Sequence, residues 1–221
     1  MKTISAVINA RLQSTRVPKK LIRKFGHTSL IEIALEKLNK MEFFDARFLA
    51  VADKELEKIG ANYQYVNILR RKKESVLKGV NPQKITFAHY KEIPSEYIFV
   101  FNPCLPMIRI ETIKMAYDYF QKHNFPSYTS VVPTGDWVFD SLGNAVTNTN
   151  PTNLTTNKDV QFYKAAHAFH IIKKSIFVEK GYHWTFNQND PHMINISTDE
   201  HIDVDTMIDF QFAEFMYSSK K

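Results

Sequence analysis

The chain is poor in several residues on which other function classes depend. Only one cysteine, Cys104, stands among the 221 residues. No disulfide can form within the chain, and a reducing compartment is the default expectation. Glycine occurs 6 times, and none precedes Gly26. That absence excludes a Walker-type phosphate loop near the N-terminus, because such loops use glycine backbone to wrap a phosphate. No run approaches the ~18 apolar residues of a membrane span. The short apolar stretch before Arg11 is also too brief for the apolar region of a signal peptide. The expectation is a soluble, cytoplasmic protein with no membrane partner. Acids are in deficit too. Against 29 Lys and Arg stand 23 Asp and Glu, giving a formal charge of +6 and a pI near 9.2. An anionic partner is implied. No aromatic stacking motif is interleaved with the cations, so nucleic acid is not the expected one.

What the chain has is a hydrophobic fraction of 44% and a length that suits one α/β domain over residues 1–221. Ile4 to Asn9 reads as a buried strand. Ser29 is placed to cap a helix through Leu30, Ile31, Ile33, Ala34, Leu35 and Leu38. Strands are expected over Arg47–Val51, Tyr65–Leu69 and Tyr97–Phe101, and helices over Asp53–Ile59, Lys84–Lys91 and Ile110–Lys122. This alternation predicts a doubly wound, mostly parallel sheet. Residues 134–158, rich in Thr and Asn, read as a protruding hairpin or loop excursion. Apolar structure returns at Phe162–Ile172 and Ile176–Val178. A short acidic strand end is expected at Ile202–Asp205, then an amphipathic helix over Thr206–Tyr217.

Three constellations could carry chemistry. Between Arg11 and Lys24 lie six cations (Arg11, Arg16, Lys19, Lys20, Arg23, Lys24) and no acid. A loop leaving a strand with that charge can offer backbone N–H groups and cations to a polyphosphate, and Ser14 and Thr15 add hydroxyl donors. A solvated charge run is the competing reading. Along a strand, Asp203 and Asp205 would share a face. Two carboxylates that close need a cation between them, and Mg²⁺ completed by substrate phosphates is the natural choice. The alternative is a pair of solvated acids, one of them capping the last helix. Third, Asn102-Pro103-Cys104-Leu105-Pro106 is a stiff turn at a strand's C-terminal end, where ligands bind in such sheets.

Ala10-Arg11-x-x-Ser14-Thr15-Arg16-x-Pro18-x-Lys20 resembles the signature loop of sugar-acid cytidylyltransferases, the acylneuraminate and ketodeoxyoctonate enzymes and related spore-coat polysaccharide proteins. The turn from Asn102 to Pro106 resembles their Gln-Pro-Thr-Ser-Pro turn. Asp203-Val204-Asp205-Thr206, followed by Asp209, resembles their C-terminal Asp-Ile-Asp. The resemblance implies a Rossmann-like sheet of the nucleotide-diphospho-sugar transferase type with a small dimerisation and sugar-side excursion, and usually a homodimer. It implies that CTP and an acidic sugar give a CMP-sugar and pyrophosphate. Carried over, Arg11, Ser14, Thr15, Arg16 and Lys20 bind CTP, with Lys20 toward the phosphates. Asp203 and Asp205 ligate Mg²⁺, and Asn102 lies beside the nucleotide. Arg71 is near the cytosine end, with Arg70 competing for that role. Lys20, Arg11 and Asp205 are the expected catalytic residues.

The sugar side departs from the pattern. Thr156-Asn157-Lys158-Asp159 stands where those enzymes have Arg-Gln-Asp, and Ala166-His167-Ala168-Phe169-His170 replaces Asn-Gly-Ala-x-Tyr. The arginine of their turn falls on Ile108, with Arg109 one place late. Arg109 or Lys158 is then the candidate cation for a sugar carboxylate, and His167 a candidate substrate contact. By alternation, His167 and Phe169 would face one side of a strand, and Ala168 and His170 the other. Cys104 is expected to be a buried structural residue. The alternatives are a transferase using another nucleoside triphosphate, or a catalytically degenerate nucleotide-binding relative.

Overall fold

A computed structural model describes residues 1–77, 82–147, 152 and 162–219. The chain runs β1 (Ile4–Asn9), a small ribbon of β2 (Lys24–Phe25) and β3 (Thr28–Ser29), α1 (Leu30–Lys40), β4 (Ala46–Val51), α2 (Lys54–Gly60), β5 (Asn67–Arg70) and a one-turn α3 (Gln83–Thr86). It continues through β6 (Tyr97–Phe101), α4 (Ile110–Lys122), β7 (Ser127–Thr134), β8 (Phe162–Lys173), α5 (Lys174–Lys180), β9 (His192–Asn195) and α6 (Met207–Ser219).

Seven strands form one sheet in the order β5-β4-β1-β6-β8-β7-β9. The first four are mutually parallel, β8 is antiparallel to both its neighbours, and β9 is parallel to β7. The sheet is therefore mostly parallel, as the alternation predicts. β1 is apolar because both its faces are covered. Ile4, Ala6 and Ile8 enter the large core with α1, α4 and α6, while Val7 enters a smaller cluster with Tyr90, Ile98 and Phe177.

Ser29 does cap α1. Its hydroxyl accepts from the Glu32 N–H and donates to the Glu32 carboxylate at 2.6 Å. A reciprocal capping box opens α6, where Asp209 Oδ2 accepts from the Thr206 N–H at 2.7 Å and Thr206 Oγ1 accepts from the Asp209 N–H at 3.2 Å. Asp209, rather than Asp203 or Asp205, is the acid that caps the last helix.

Several expectations are corrected. The helix predicted over Lys84–Lys91 is α3 plus a separate 3₁₀ turn at Ala88–Glu92. No strand forms at Ile202–Asp205, which is irregular backbone tied by the Val204 N–H to the Cys104 carbonyl at 3.0 Å. β7 and β9 are strands where none was expected. In β8, simple alternation fails. A register shift opposite Thr129 and Val131 and a left-handed His167 (φ 54°) leave Ala168 and Phe169 both buried and His167 exposed. The described part of the excursion turns back on itself, with an antiparallel bridge from Phe139 to Ala145. Residues 148–151 and 153–161 lie outside the described part, and with them the Thr156–Asp159 segment and Lys158.

Candidate active site

The basic loop is a built structure. It leaves β1 at Ala10, whose N–H donates to the Ala50 carbonyl at 3.0 Å. Val17 and Leu21 then plunge into the core, each contributing roughly 1.5–3 kcal/mol of burial. Lys19 takes a left-handed turn (φ 52°), and its carbonyl accepts from the N–H groups of Ile22 and Arg23 at 3.0 Å. Asp53, after β4, accepts from the Leu12 N–H at 3.1 Å. Two buried anchors and a distant carboxylate thus leave Arg11, Arg16 and Lys19 on the outside.

Of the six loop cations, three face one cavity. Arg11, Arg16 and Lys20 line it with Asn9, Gln13, Ser14, Thr15, Asn102, Cys104 and Asp205, enclosing ≈ 320 Å³. Arg23 instead lies over the Phe210 ring at 5.8 Å. Asn102 is held by its own turn, its Oδ1 accepting from the Cys104 N–H at 3.0 Å. The Lys20 side chain is only 14% exposed. Its ammonium donates to the Val204 carbonyl and lies 3.5 Å from Asp205 Oδ1, which Arg16 also meets at 2.8 Å. The loop and the distal acid pair, about 190 residues apart in sequence, are therefore joined in space.

Asp205 has a second role. It also borders an adjoining cavity of ≈ 640 Å³, with Asp203, Asp209, Lys164, His167, His201 and Phe212. Burial, and then the charge of Asp205, push the Asp203 carboxyl above its usual range. No hydrogen bond from the described residues reaches that carboxylate. Two close carboxylates, one of them disfavoured as an anion by its surroundings, suit a divalent cation. Among the described residues no cluster of three or more His, Cys, Asp or Glu is placed to hold a metal. A Mg²⁺ here would draw its remaining ligands from phosphate oxygens and water, which is its usual habit.

Other predicted residues lie elsewhere. Arg71 does not line the loop cavity. Its guanidinium is buried and donates to the carbonyls of Ser75 at 3.1 Å and Thr86 at 2.9 Å, while its Nε–H has no partner among the described residues. Burial lowers its pKa, and it lies close enough to feel the charges of Tyr90, Arg11 and Asp53. Arg70 pairs with Glu57 at 2.6 Å on the surface. Arg109 is committed to Asp199 and the buried Glu200, both at 3.1 Å, and borders a separate cavity between α1 and α4. Cys104 is half-buried beside Lys20, and burial pushes its thiol up to about 11. A protonated thiol is a poor nucleophile, which agrees with a structural role. Sequence reading missed Asn9, Lys164 and His201, and no local signal marks them. His89 could have been found only through its pairing. It is buried, and its Nε2 lies 2.8 Å from the Asn9 amide oxygen.

The comparisons with known proteins agree with this geometry. The family model described as "Cytidylyltransferase" matches residues 5–221. No curated protein sequence matches. Among solved structures, the fold is similar to that of a CMP:2-keto-3-deoxy-manno-octonic acid synthetase complexed with CTP, with a TM-score of 0.73, 11% identity and 100% of both chains covered. It is also similar to a 4-diphosphocytidyl-2C-methyl-D-erythritol synthase from Anaerococcus prevotii, with a TM-score of 0.68, 15% identity, and 98% of this chain and 99% of that one covered. A sheet of this topology, a cationic loop beyond β1 and a family match over nearly the whole chain converge, and the chain belongs to the cytidylyltransferase family of nucleotidyltransferases that use CTP.

Proposed function

We propose that the protein transfers the CMP unit of CTP to a hydroxyl of an acidic sugar, releasing pyrophosphate, with Mg²⁺ held by Asp203 and Asp205. The observation that carries this reading is Asp205 itself, which is common to the cationic cavity of ≈ 320 Å³ and the larger cavity of ≈ 640 Å³. A nucleotide in the first and an acceptor in the second would meet at its carboxylate. The likeness of fold to the octonic acid synthetase and the positive charge of the chain support an acidic acceptor.

In the transfer, the acceptor oxygen forms a bond to the α-phosphorus, the bond to pyrophosphate breaks, and the hydroxyl proton passes to water. Catalysis of this kind rests on positioning and charge. Arg11, Arg16 and Lys20 bind the triphosphate and offset the charge gathering on pyrophosphate. Ser14, Thr15 and Asn102 orient the nucleotide by hydrogen bonds. Asp205 fixes Lys20 and Arg16 relative to the acceptor side. When bound, Mg²⁺ neutralises phosphate oxygens and lowers the pKa of a hydroxyl near it. As part of the same reading the enzyme works in the cytoplasm as a homodimer. Exposed Trp137, Phe139 and Leu142 on the hairpin after β7 support a partner surface there.

Pyrophosphate release is the test. The protein is incubated with Mg²⁺, each nucleoside triphosphate in turn, and a panel of ulosonic and nonulosonic acids together with methylerythritol phosphate. Release with CTP and a sugar acid is expected. Release only with methylerythritol phosphate would replace the acceptor, and no release or CTP binding with any acceptor would overturn the reading.

A further inference from the structure

We infer that Lys164, His167 and His201 form an anion-binding wall in the larger cavity, and that His167 is held in a strained backbone in order to reach it. This rests on the reading of that cavity as the acceptor site. The ligand chemistry is an anionic group on the acceptor, a carboxylate or a phosphate monoester.

The first observation is conformational. His167 has φ 54°, inside the left-handed region. That region is costly for any residue with a Cβ, and glycine is the residue that takes it freely. Strain of this kind persists where the surroundings enforce it, and it collects at functional positions. Here the enforcement is visible. Ala166, Ala168 and Phe169 are all fully buried, and β8 shifts register against β7 opposite Thr129 and Val131. The bulge turns one side chain, His167, out of the core and onto the cavity. Exposed, it fills no space in the core, and it forms no hydrogen bond with the described residues. Its nearest ring is His170, at 5.6 Å. Packing therefore gives no reason for a histidine at this position.

The second observation is the company His167 keeps. Lys164, three residues earlier on β8, is exposed, borders the same cavity, and forms no ion pair with the described residues. His201 arrives from the segment after β9, half-buried, and lines the same cavity. Asp203, Asp205 and Asp209 complete the cavity. It thus has acids where the transferred group would arrive and bases on the strand side. An acceptor carrying both a hydroxyl and an anionic group can span the two. A neutral sugar would leave the basic groups without a partner.

The test has two arms. In the first, histidine-ring signals are followed by NMR in protein saturated with CMP, while ketodeoxyoctonate, methylerythritol phosphate or inorganic phosphate is added. Saturable shifts of His167 and His201 are expected, with affinity falling by about tenfold in Lys164→Ala. The ligand that binds tightest distinguishes carboxylate from phosphate. In the second arm, His167→Gly is compared with the parent for melting temperature and for the KM of each substrate. The expected result is an unchanged or higher melting temperature, an acceptor KM raised by about tenfold, and a CTP KM within about twofold. Unshifted rings, an unchanged acceptor KM, or a lower melting temperature in His167→Gly would overturn the inference. The binding arm needs no turnover. If no acceptor releases pyrophosphate, the functional reading fails, while the anion wall is still judged by the rings.

Discussion

The two cavities that meet at Asp205 are built by opposite means. In the proposed reading, the nucleotide side stands on parallel strands and a loop pinned by Val17, Leu21 and Asp53, and the larger cavity is the acceptor side. Its polar groups come from strand ends and short turns, and Arg16 and Lys20 are already paired with the acid they must share. The acceptor side stands on an antiparallel strand with a bulge, a left-handed histidine and an irregular segment held at both ends by carboxylates. Glu200 ties that segment to α4, accepting from the Arg109 N–H at 2.7 Å and from the Thr112 hydroxyl at 2.9 Å. Asp209 ties it to α6. A triphosphate can be gripped by charge presented on a regular frame, whereas recognising one acceptor demands side chains that the regular frame would point elsewhere.

The comparison breaks most sharply at the shared residues. Lys20→Ala or Asp205→Asn should lower kcat/KM by about 10²–10⁴-fold, because each removes charge placement needed in the transition state. Steady-state assays varying CTP and acceptor in turn check this, and a loss below about tenfold would remove Asp205 from the centre of the site.

Next in size is the tether of the acceptor side. Glu200 is fully buried, so Glu200→Ala would strand the Arg109 N–H and the Thr112 hydroxyl. A loss of about 3 kcal/mol is expected, read by urea unfolding, with acceptor KM rising more than CTP KM. Equal rises would mean that the two sides are mechanically one.

A smaller effect sharpens the same contrast through pH. Burial first, and then Arg71, push His89 of the nucleotide side down from 6.5 to about 3. Burial first, and then His167, push His170 of the acceptor side down to about 3. Both rings fold neutral, while the unfolded chain takes protons near 6.5. The stability they lend is therefore full above that pH and is lost as pH falls from about 6.5 toward 3. The expected loss by pH 4 is about 3 kcal/mol per ring. Denaturant titrations of His89→Gln and His170→Gln should each show a flatter profile than the parent. The smallest effect is that of Cys104→Ser. Its thiol is protonated and uninvolved in transfer, so kcat should stay within about twofold; a loss of activity would give the thiol a role on the nucleotide side.

Much of the first half was legible because its signals are short-range. Apolar runs mark β1 and β6, Ser29 and Glu32 cap α1 within three residues, and six cations without an acid point to a candidate anion site. Arg11, Ser14, Thr15, Arg16, Lys20 and Asn102 could be named from the sequence, and they meet around one cavity. The acceptor side was poorly legible for the converse reason. Alternation put His167 and Phe169 on one side of β8, where the structure exposes one and buries the other, because a bulge depends on the partner strand and not on the strand's own sequence. Ile202–Asp205 was read as a short strand end, but the segment joins no strand and is held by single hydrogen bonds to distant groups, among them the Cys104 carbonyl and Lys20.

The sequence by itself determined the parallel α/β frame and the charge of the loop, which follow from periodicity and composition over a few residues, while the acid pair was singled out over the reading as solvated acids only through the family resemblance. Only the tertiary structure decided that Asp205 stands between two cavities, that Arg109 is spent on Glu200, and that His167 and Lys164 face the acids across one of those cavities. These outcomes depend on which segments, far apart in the chain, pack together, and such contacts leave no mark on local pattern.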